Sequence, residues 1–227
     1  PYRCLLACVS ALLEAALKQS DQCYMTVDDF VEDIELIRES LKENRGVNAG
    51  LFNVTRLLRR VRTFGFHLVT LDVRQDALLH RRVMGELLGC KDWEQRDPAN
   101  RAATLAELIR SGSLPSAPED DRLSPEARSS LAVFQAISAA RQQYGAAAIG
   151  LFIISMTQGA DDVLTAMALA EVANPHLGAI SRLDVSPLLE TVNDLVSGER
   201  ILKELLALDV YRDHLRDLGN RQVVMVG

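Results

Sequence analysis

The sequence predicts an α/β fold in which about four parallel strands alternate with helices. Two observations support this prediction: short apolar runs rich in Val, Ile and Leu recur along the chain, and helical patterns separate them. The predicted strands cover residues 66–74, 146–155, 179–187 and 222–226. Because helices connect successive strands, the strands are expected to be parallel, with right-handed crossovers.

Alternation of this kind is typical of a β/α barrel of the TIM type, which is usually closed by about eight strands. Four strands cannot close such a barrel, so the sequence predicts a partial barrel with many additional helices. Residues 1–64 are predicted to form a helical region, and residues 65–227 to form half of the barrel, with a helical insertion at about 76–145. An apolar strand at the end of the chain suggests a segment of a longer protein.

The helical region before the barrel contains three stretches with apolar residues at spacings of three and four, at about residues 2–19, 27–43 and 51–64. Thr26 followed by Asp29 predicts a capping box at the start of the second helix. The third helix carries a group of arginines on its polar face, which could bind an anion but is more typical of a solvated surface.

Composition excludes several functional classes. The chain has 48% hydrophobic and 25% charged residues, which is typical of a globular protein. A net charge of -6 argues against a general nucleic-acid-binding or anionic-membrane-binding surface. The longest apolar run, residues 146–154, is far shorter than the roughly 20 residues that span a bilayer. With no secretory signal pattern and few cysteines, we expect a cytoplasmic protein with reduced thiols.

Charged residues stand where two of the predicted strands end. Arg74 closes the first strand, and Glu190 follows the third. The carboxyl ends of barrel strands are where catalytic residues gather, and a guanidinium can hold a phosphate or carboxylate there. A carboxylate at the same edge would suit Mg²⁺. Two ordinary roles stay open: Arg74 could form a surface ion pair, and Glu190 could be an acid favoured by a helix N-terminus.

Four stretches of the chain resemble motifs of one enzyme family. Residues 63–75 (TFGFHLVTLDVRQ) resemble T-F-G-L-x-L-x-x-L-D-I-R-Q, and residues 154–164 (ISMTQGADDVL) resemble I-S-M-x-x-x-x-S-D-V-L. Residues 187–191 (PLLET) resemble P-L-F-E-T, and residues 224–227 (VMVG) resemble the V-M-x-G that precedes Y-S-D-S. These are motifs of the phosphoenolpyruvate carboxylases, and they occur in the order of that family. The segment 90–145 matches least.

The resemblance implies a parent lyase that adds bicarbonate to phosphoenolpyruvate, giving oxaloacetate and phosphate. In this family bicarbonate attacks the phosphoryl group, and the resulting enolate takes up CO₂. By resemblance, Arg74 is a catalytic residue that contacts the phosphate, and Glu190 ligates Mg²⁺ or Mn²⁺. Leu188 and Met225 match positions that surround the methylene carbon of the substrate. The implied partners are phosphoenolpyruvate and bicarbonate, and the parent is expected to be a homotetramer.

Several family motifs are absent from the sequence, including the second metal carboxylate in Y-S-D-S, the catalytic histidine and a mobile glycine-rich loop. The chain alone is therefore expected to be inactive. Two other interpretations stay open: a non-catalytic interaction or regulatory module, and another barrel enzyme that handles an enolate or phosphate with Mg²⁺. Among the histidines, His67 is expected within the first strand and His80 on the surface.

Overall fold

The computed structural model describes residues 2–18, 20, 23–117, 122–176 and 182–227. The chain divides into two compact units, Pro1–Val69 and Thr70–Gly227. The helices of the first unit are α1 (Tyr2–Leu17), α2 (Val27–Glu43) and α3 (Leu51–Phe64). The elements of the second unit are, in chain order, β1 (Leu71–Asp76), α4 (Ala77–Leu87), α5 (Pro98–Ser111), α6 (Pro125–Tyr144), β2 (Ile149–Ser155), α7 (Ala160–Ala173), β3 (Asp184–Leu189), α8 (Val192–Ala207), α9 (Asp209–Asp217) and β4 (Met225–Val226).

The three helices of the first unit enclose a small apolar core of their own. The predicted capping box at the start of α2 is confirmed, because the Asp29 N–H donates to Thr26 Oγ1 at 3.1 Å and the Thr26 N–H donates to Asp29 Oδ2 at 3.0 Å. The buried apolar residues of this unit are Val9, Tyr24, Phe30, Val31, Ile34, Ile37 and Leu58. None of the described helices is both long and apolar enough to cross a bilayer.

The four described strands of the second unit form one parallel sheet in the order β1-β2-β3-β4. Helices connect the strands because successive parallel strands need a long crossover connection, and these helices also cover the apolar strands. The α/β class and the four parallel strands are therefore confirmed. Closure of such a sheet into a TIM-type barrel stays a prediction.

The two faces of the sheet differ in their surroundings. One face joins the core formed with the helices, and its buried residues include Phe152, Ile154, Val185 and Leu189. The opposite face, which we call the second face, carries the residues that alternate with these, and Ile153, Ser186 and Leu188 on it are also buried. Register places Arg74 of β1 beside Ile153 of β2, and Ile153 beside Ser186 of β3. Arg74 therefore shares the second face with Ser186 and, two residues further along β3, with Leu188.

The position of the first strand differs from the prediction. The expected strand 66–74 is replaced by a turn followed by β1, because Gly65 and Leu68 adopt positive φ angles of 56° and 68°. The strand is also an edge of the described sheet, and Leu71 is 57% exposed, so the expectation of a buried strand is wrong. Arg74 consequently lies within β1, and the strand ends at Asp76, which caps α4.

The other three strands begin later than the sequence pattern predicts. β2 is preceded by a 3₁₀ turn at Ala146–Ala148, although the whole run is apolar. Of the predicted strand 179–187, residues 179–181 lie outside the described residues, and β3 continues to Leu189. β4 is the short pair Met225–Val226.

Candidate functional site

Arg74 and Glu190 meet at the carboxyl edge of the sheet. Arg74 Nη2 donates a hydrogen bond to Glu190 Oε1, although 116 positions separate the two residues in the sequence. Their side chains are 54% and 28% exposed. The expectation that these two side chains project into the same region is confirmed. We also expected them on neighbouring strands, which is wrong, because β2 lies between β1 and β3.

The end of β3 determines where Glu190 lies. The strand ends at Leu189, and Thr191 is already the N-cap of α8. Thr191 and Asp194 form a capping box, in which the Thr191 N–H donates to the Asp194 carboxylate at 2.9 Å and lowers the pKa of that carboxyl. Glu190 is therefore fixed in a single-residue connection between a strand and a capped helix, which leaves its carboxylate free to face Arg74.

Leu188 and Met225 lie side by side on adjacent strands. They are partners in the β3–β4 register, so their side chains share a face of the sheet. Leu188 is 2% exposed and Met225 is half-buried. The Gly227 N–H donates to the Leu189 carbonyl at 3.1 Å, which holds the end of the chain beside Glu190. The two apolar residues are thus brought near one charged residue of the site, and their contact with a substrate stays a prediction.

The carboxylate of Glu190 is the metal-ligand candidate at this edge. Within the described ranges, no group of three or more His, Cys, Asp or Glu side chains is arranged to hold a metal ion. Mg²⁺ commonly takes one or two carboxylates and completes its octahedron with water and substrate oxygens. Glu190 could therefore supply one ligand of such a site. In this structure its carboxylate forms an ion pair with Arg74.

A second charge cluster lies inside the protein, and sequence reasoning missed it. Arg81 binds Asp162 with both prongs of its guanidinium, through Nε at 2.6 Å and Nη2 at 2.8 Å. Arg101 binds Asp161 at 2.7 Å. Both carboxylates are 0% exposed, and the arginine side chains are almost fully buried. We call these four residues the buried charge cluster; two adjacent acids after an apolar strand were its only signal in the sequence.

Burial and pairing act in opposite directions on the pKa values of the buried charge cluster. Burial alone would lower the pKa of Arg81, but the hydrogen bond to Asp162 raises it above its usual value, so the guanidinium stays charged. Burial, together with the neighbouring Asp162 charge, raises the pKa of Asp161. Asp161 Oδ1 has no hydrogen-bond partner among the described residues.

His80 is buried, contrary to the expectation of a surface position. Its ring stacks on Phe152 at a centroid distance of 5.6 Å and also packs against Phe134. Its Nε2 lies 2.8 Å from Gln75 Oε1. Because α4 turns this residue into the helix-covered side of the sheet, burial lowers the pKa of His80 to about 4, and the imidazole is neutral near pH 7. His67 lies in the turn before β1, outside the strand predicted to contain it.

Fold and site together define an α/β protein with a charged pair at the carboxyl edge of a parallel sheet. Comparison with known proteins identifies it further, since the family model of phosphoenolpyruvate carboxylase matches residues 4–227. The chain belongs to the phosphoenolpyruvate carboxylase family.

Individual relatives agree with the family match. The chain is 43% identical to the phosphoenolpyruvate carboxylase of Xanthomonas oryzae over 231 residues, which covers 100% of this chain and 25% of the relative. It is 35% identical over 209 residues to that of Rhodopseudomonas palustris, covering 90% of this chain and 22% of the relative. It is 32% identical over 215 residues to that of Corynebacterium diphtheriae, covering 90% of this chain and 23% of the relative. The chain thus spans about a quarter of the length of these relatives.

Proposed function

We propose that this chain is a central segment of a phosphoenolpyruvate carboxylase, and that it contributes the phosphate-binding arginine and one metal-binding acid to the active site. The whole enzyme would add bicarbonate to phosphoenolpyruvate and release oxaloacetate and phosphate. The observation that carries the proposal is the meeting of Arg74 and Glu190 at the carboxyl edge of the sheet. Family membership and the coverage of about a quarter of each relative support it.

Arg74 is proposed to hold the phosphoryl group of the substrate. Its side chain is 54% exposed and its guanidinium pairs with a single carboxylate oxygen, so a phosphate could replace Glu190 as its partner. A planar guanidinium binds phosphate oxygens in a two-pronged manner and keeps its charge at any working pH. The attacking bicarbonate is itself an anion, and a guanidinium already placed at the phosphoryl oxygens would offset the repulsion between the two negative groups without reorganisation.

Leu188 and Met225 are proposed to shield the reactive carbon of the substrate. They are adjacent on the same face of β3 and β4, and neither side chain can donate a proton. An apolar wall at this place would keep water from protonating an enolate before it takes up CO₂. The proposal therefore gives these residues a role in excluding a side reaction, with no role in proton transfer.

Glu190 is proposed to supply one ligand for Mg²⁺ or Mn²⁺, with the remaining ligands coming from water, substrate and residues outside this chain. A bound divalent cation would add positive charge where the reaction accumulates negative charge. The contribution of the chain itself is to hold the carboxylate between β3 and the cap of α8. A single carboxylate binds Mg²⁺ weakly, so we expect the isolated chain to bind the metal poorly.

The proposal is tested on the full-length product of the gene that encodes this segment, by coupling oxaloacetate formation to malate dehydrogenase. We expect activity in the wild type and a loss of about a hundredfold or more in kcat/KM for Arg74→Ala, because one electrostatic contact to the reacting group is removed. Arg82→Ala is the matched control, since the Arg82 side chain is also half exposed and its carboxylate neighbour, Glu126, is 3.8 Å away. An inactive wild type, or equal losses in the two variants, would contradict the proposal.

The isolated 227-residue chain is expected to give no oxaloacetate in the same assay. It lacks the family motifs that carry the catalytic histidine and the second metal carboxylate. Turnover by the purified chain would show that one arginine and one acid suffice, and would overturn the assignment of the site to a larger protein.

A further inference from the structure

The loop between β2 and α7, residues 156–159, alternates between exposed and buried residues and is held by hydrogen bonds from several elements. It begins with Met156, which adopts a positive φ of 58°. Side chains other than glycine rarely adopt this conformation, and it persists only where the surroundings enforce it. Met156 is 39% exposed, so packing of its own side chain does not account for the constraint.

The buried charge cluster holds one side of this loop through Asp162. Asp162 Oδ2 accepts the Gln158 N–H at 2.8 Å and the Gly159 N–H at 3.3 Å. The same carboxylate is clamped by Arg81 through two hydrogen bonds. Asp162 is 0% exposed and is hydrogen-bonded both to Arg81 of α4 and to the loop N–H groups. The position of the loop therefore depends on the position of α4.

A surface arginine holds the opposite side of the loop. Arg200 of α8 donates from Nη2 to the Gln158 carbonyl at 3.2 Å. Its other nitrogen, Nη1, pairs with Glu204 at 2.9 Å. The peptide groups around Gln158 are therefore fixed by an acid on one side and a base on the other, and the loop is tied to α4, α7 and α8 together.

The neighbouring ion pair provides an internal comparison. Asp161 is as buried as Asp162, but its carboxylate is hydrogen-bonded to Arg101 and lies 3.8 Å from Arg81 Nε, which is beyond hydrogen-bond distance. Arg101 in turn donates to the backbone carbonyls of Glu94 and Arg96. That pair joins α5 to α7. The two adjacent acids thus have the same burial and a similar partner, but only Asp162 is hydrogen-bonded to the loop amides in the described contacts.

We propose that Asp162, Arg81 and Arg200 are positioning residues that fix the loop 156–159 for substrate binding at the edge where Arg74 and Glu190 meet. β2 lies between β1 and β3, so the residues that follow β2 emerge between the strands that carry the two site residues. The inference rests on the proposed function, and it adds residues that would not touch the substrate themselves. A substrate held by Arg74 would be oriented against this loop.

The main test compares Asp162→Asn with Asp161→Asn in the full-length enzyme. Both changes keep the shape of the side chain and remove one buried negative charge. Only Asp162→Asn forces an amide NH₂ group against either Arg81 or the loop N–H groups. We expect Asp162→Asn to raise KM for phosphoenolpyruvate about tenfold, because displacement of a positioning element by a fraction of an ångström weakens productive binding. Asp161→Asn is expected to leave KM unchanged.

KM separates positioning from stability. A change that only reduces the folded fraction lowers the apparent kcat and leaves KM as it is. Thermal unfolding of both variants is followed by circular dichroism, and kinetics are measured at a temperature at which each is folded. Equal KM values for the two variants would overturn the proposal.

A second pair of variants decides the question if Asp162→Asn does not fold. Arg200 is 53% exposed at its side chain, so Arg200→Ala is expected to fold normally while the hydrogen bond to Gln158 is lost. We expect KM to rise about threefold, as for the loss of one hydrogen bond of modest net strength. Glu204→Ala, which removes the other partner of Arg200, should leave KM unchanged. A wild-type KM in Arg200→Ala would overturn the proposal, whereas an inactive wild-type enzyme would contradict the proposed function instead.

Discussion

The exposed pair Arg74–Glu190 and the buried charge cluster are built from the same chemical groups and differ in their surroundings. Water reaches both partners of the exposed pair, whose side chains are 54% and 28% accessible. In the cluster, Asp162 is 0% exposed and Arg81 is almost fully buried. Both sets connect residues that are far apart in the sequence, by 116 positions in the first case and 81 in the second.

This difference in exposure separates charges available for ligands from charges committed to structure. An exposed ion pair contributes about 0–1 kcal/mol, so either partner can exchange for a substrate group at small cost. A buried pair can be roughly neutral in net terms, but removal of one partner leaves an uncompensated charge inside the protein. The comparison therefore predicts that mutations at the first pair alter function and mutations in the second alter stability first.

The largest expected effect is on stability in the buried charge cluster. Asp162→Ala leaves the Arg81 guanidinium without its bidentate partner and removes the acceptor for two loop N–H groups. We expect the free energy of unfolding of the chain to fall by about 3–5 kcal/mol, measured by urea denaturation. Glu190→Ala is the control, with an expected loss of at most about 1 kcal/mol. Similar losses in the two variants would remove the distinction between the clusters.

Local sequence signals predicted which helices and strands form better than they predicted the residues at which these elements begin and end. The Thr26 capping box, the parallel strands and the residues that follow β3 were predictable because each depends on a few neighbours in the sequence. The start of β1 was not, because an apolar pattern cannot reveal that Leu68 adopts a positive φ. Exposure of β1 was missed for a related reason: burial depends on the position of a strand within the sheet.

The charged residues also differ in how far the sequence could predict them. Arg74 and Glu190 could be predicted because parallel strands bring their carboxyl ends to one edge. The partners of Asp161 and Asp162 could not, since Arg101 and Arg81 are selected by the packing of α5 and α4 against α7. His80 was misplaced although a signal was present, since its spacing of three and four residues from Val83 and Met84 puts it on the apolar face of α4.

A second effect, of intermediate size, concerns pH. Burial holds the pKa of His80 at about 4, below its ordinary value of 6.5. Above pH 6.5 the residue is neutral in the folded and unfolded chains, and its effect on stability does not change with pH. As the pH falls from 6.5 towards 4, the unfolded chain takes up a proton that the folded chain does not. We expect a loss of about 3 kcal/mol from this residue over that interval.

The measurement for His80 is the free energy of unfolding of the chain at several pH values between 7 and 4. His80→Gln is the comparison variant, because glutamine keeps a polar group near Gln75 and does not titrate in this range. The difference between the wild type and the variant should shift progressively across the interval, with the wild type losing more stability at low pH. A constant difference would mean that His80 binds a proton without unfolding, and that its burial does not exclude charge as the comparison requires.

The smallest expected effect is the contribution of the exposed pair to stability. Arg74→Gln removes the charge on one side of the contact with Glu190, and we expect the free energy of unfolding to change by less than about 1 kcal/mol. Since water and ions reach both partners, salt at about 1 M should abolish even this difference. Asp162→Ala should keep most of its defect at the same salt concentration, because burial protects that pair from screening. A large, salt-resistant loss in Arg74→Gln would show that Arg74 is held as a structural residue and is not available to bind an anion.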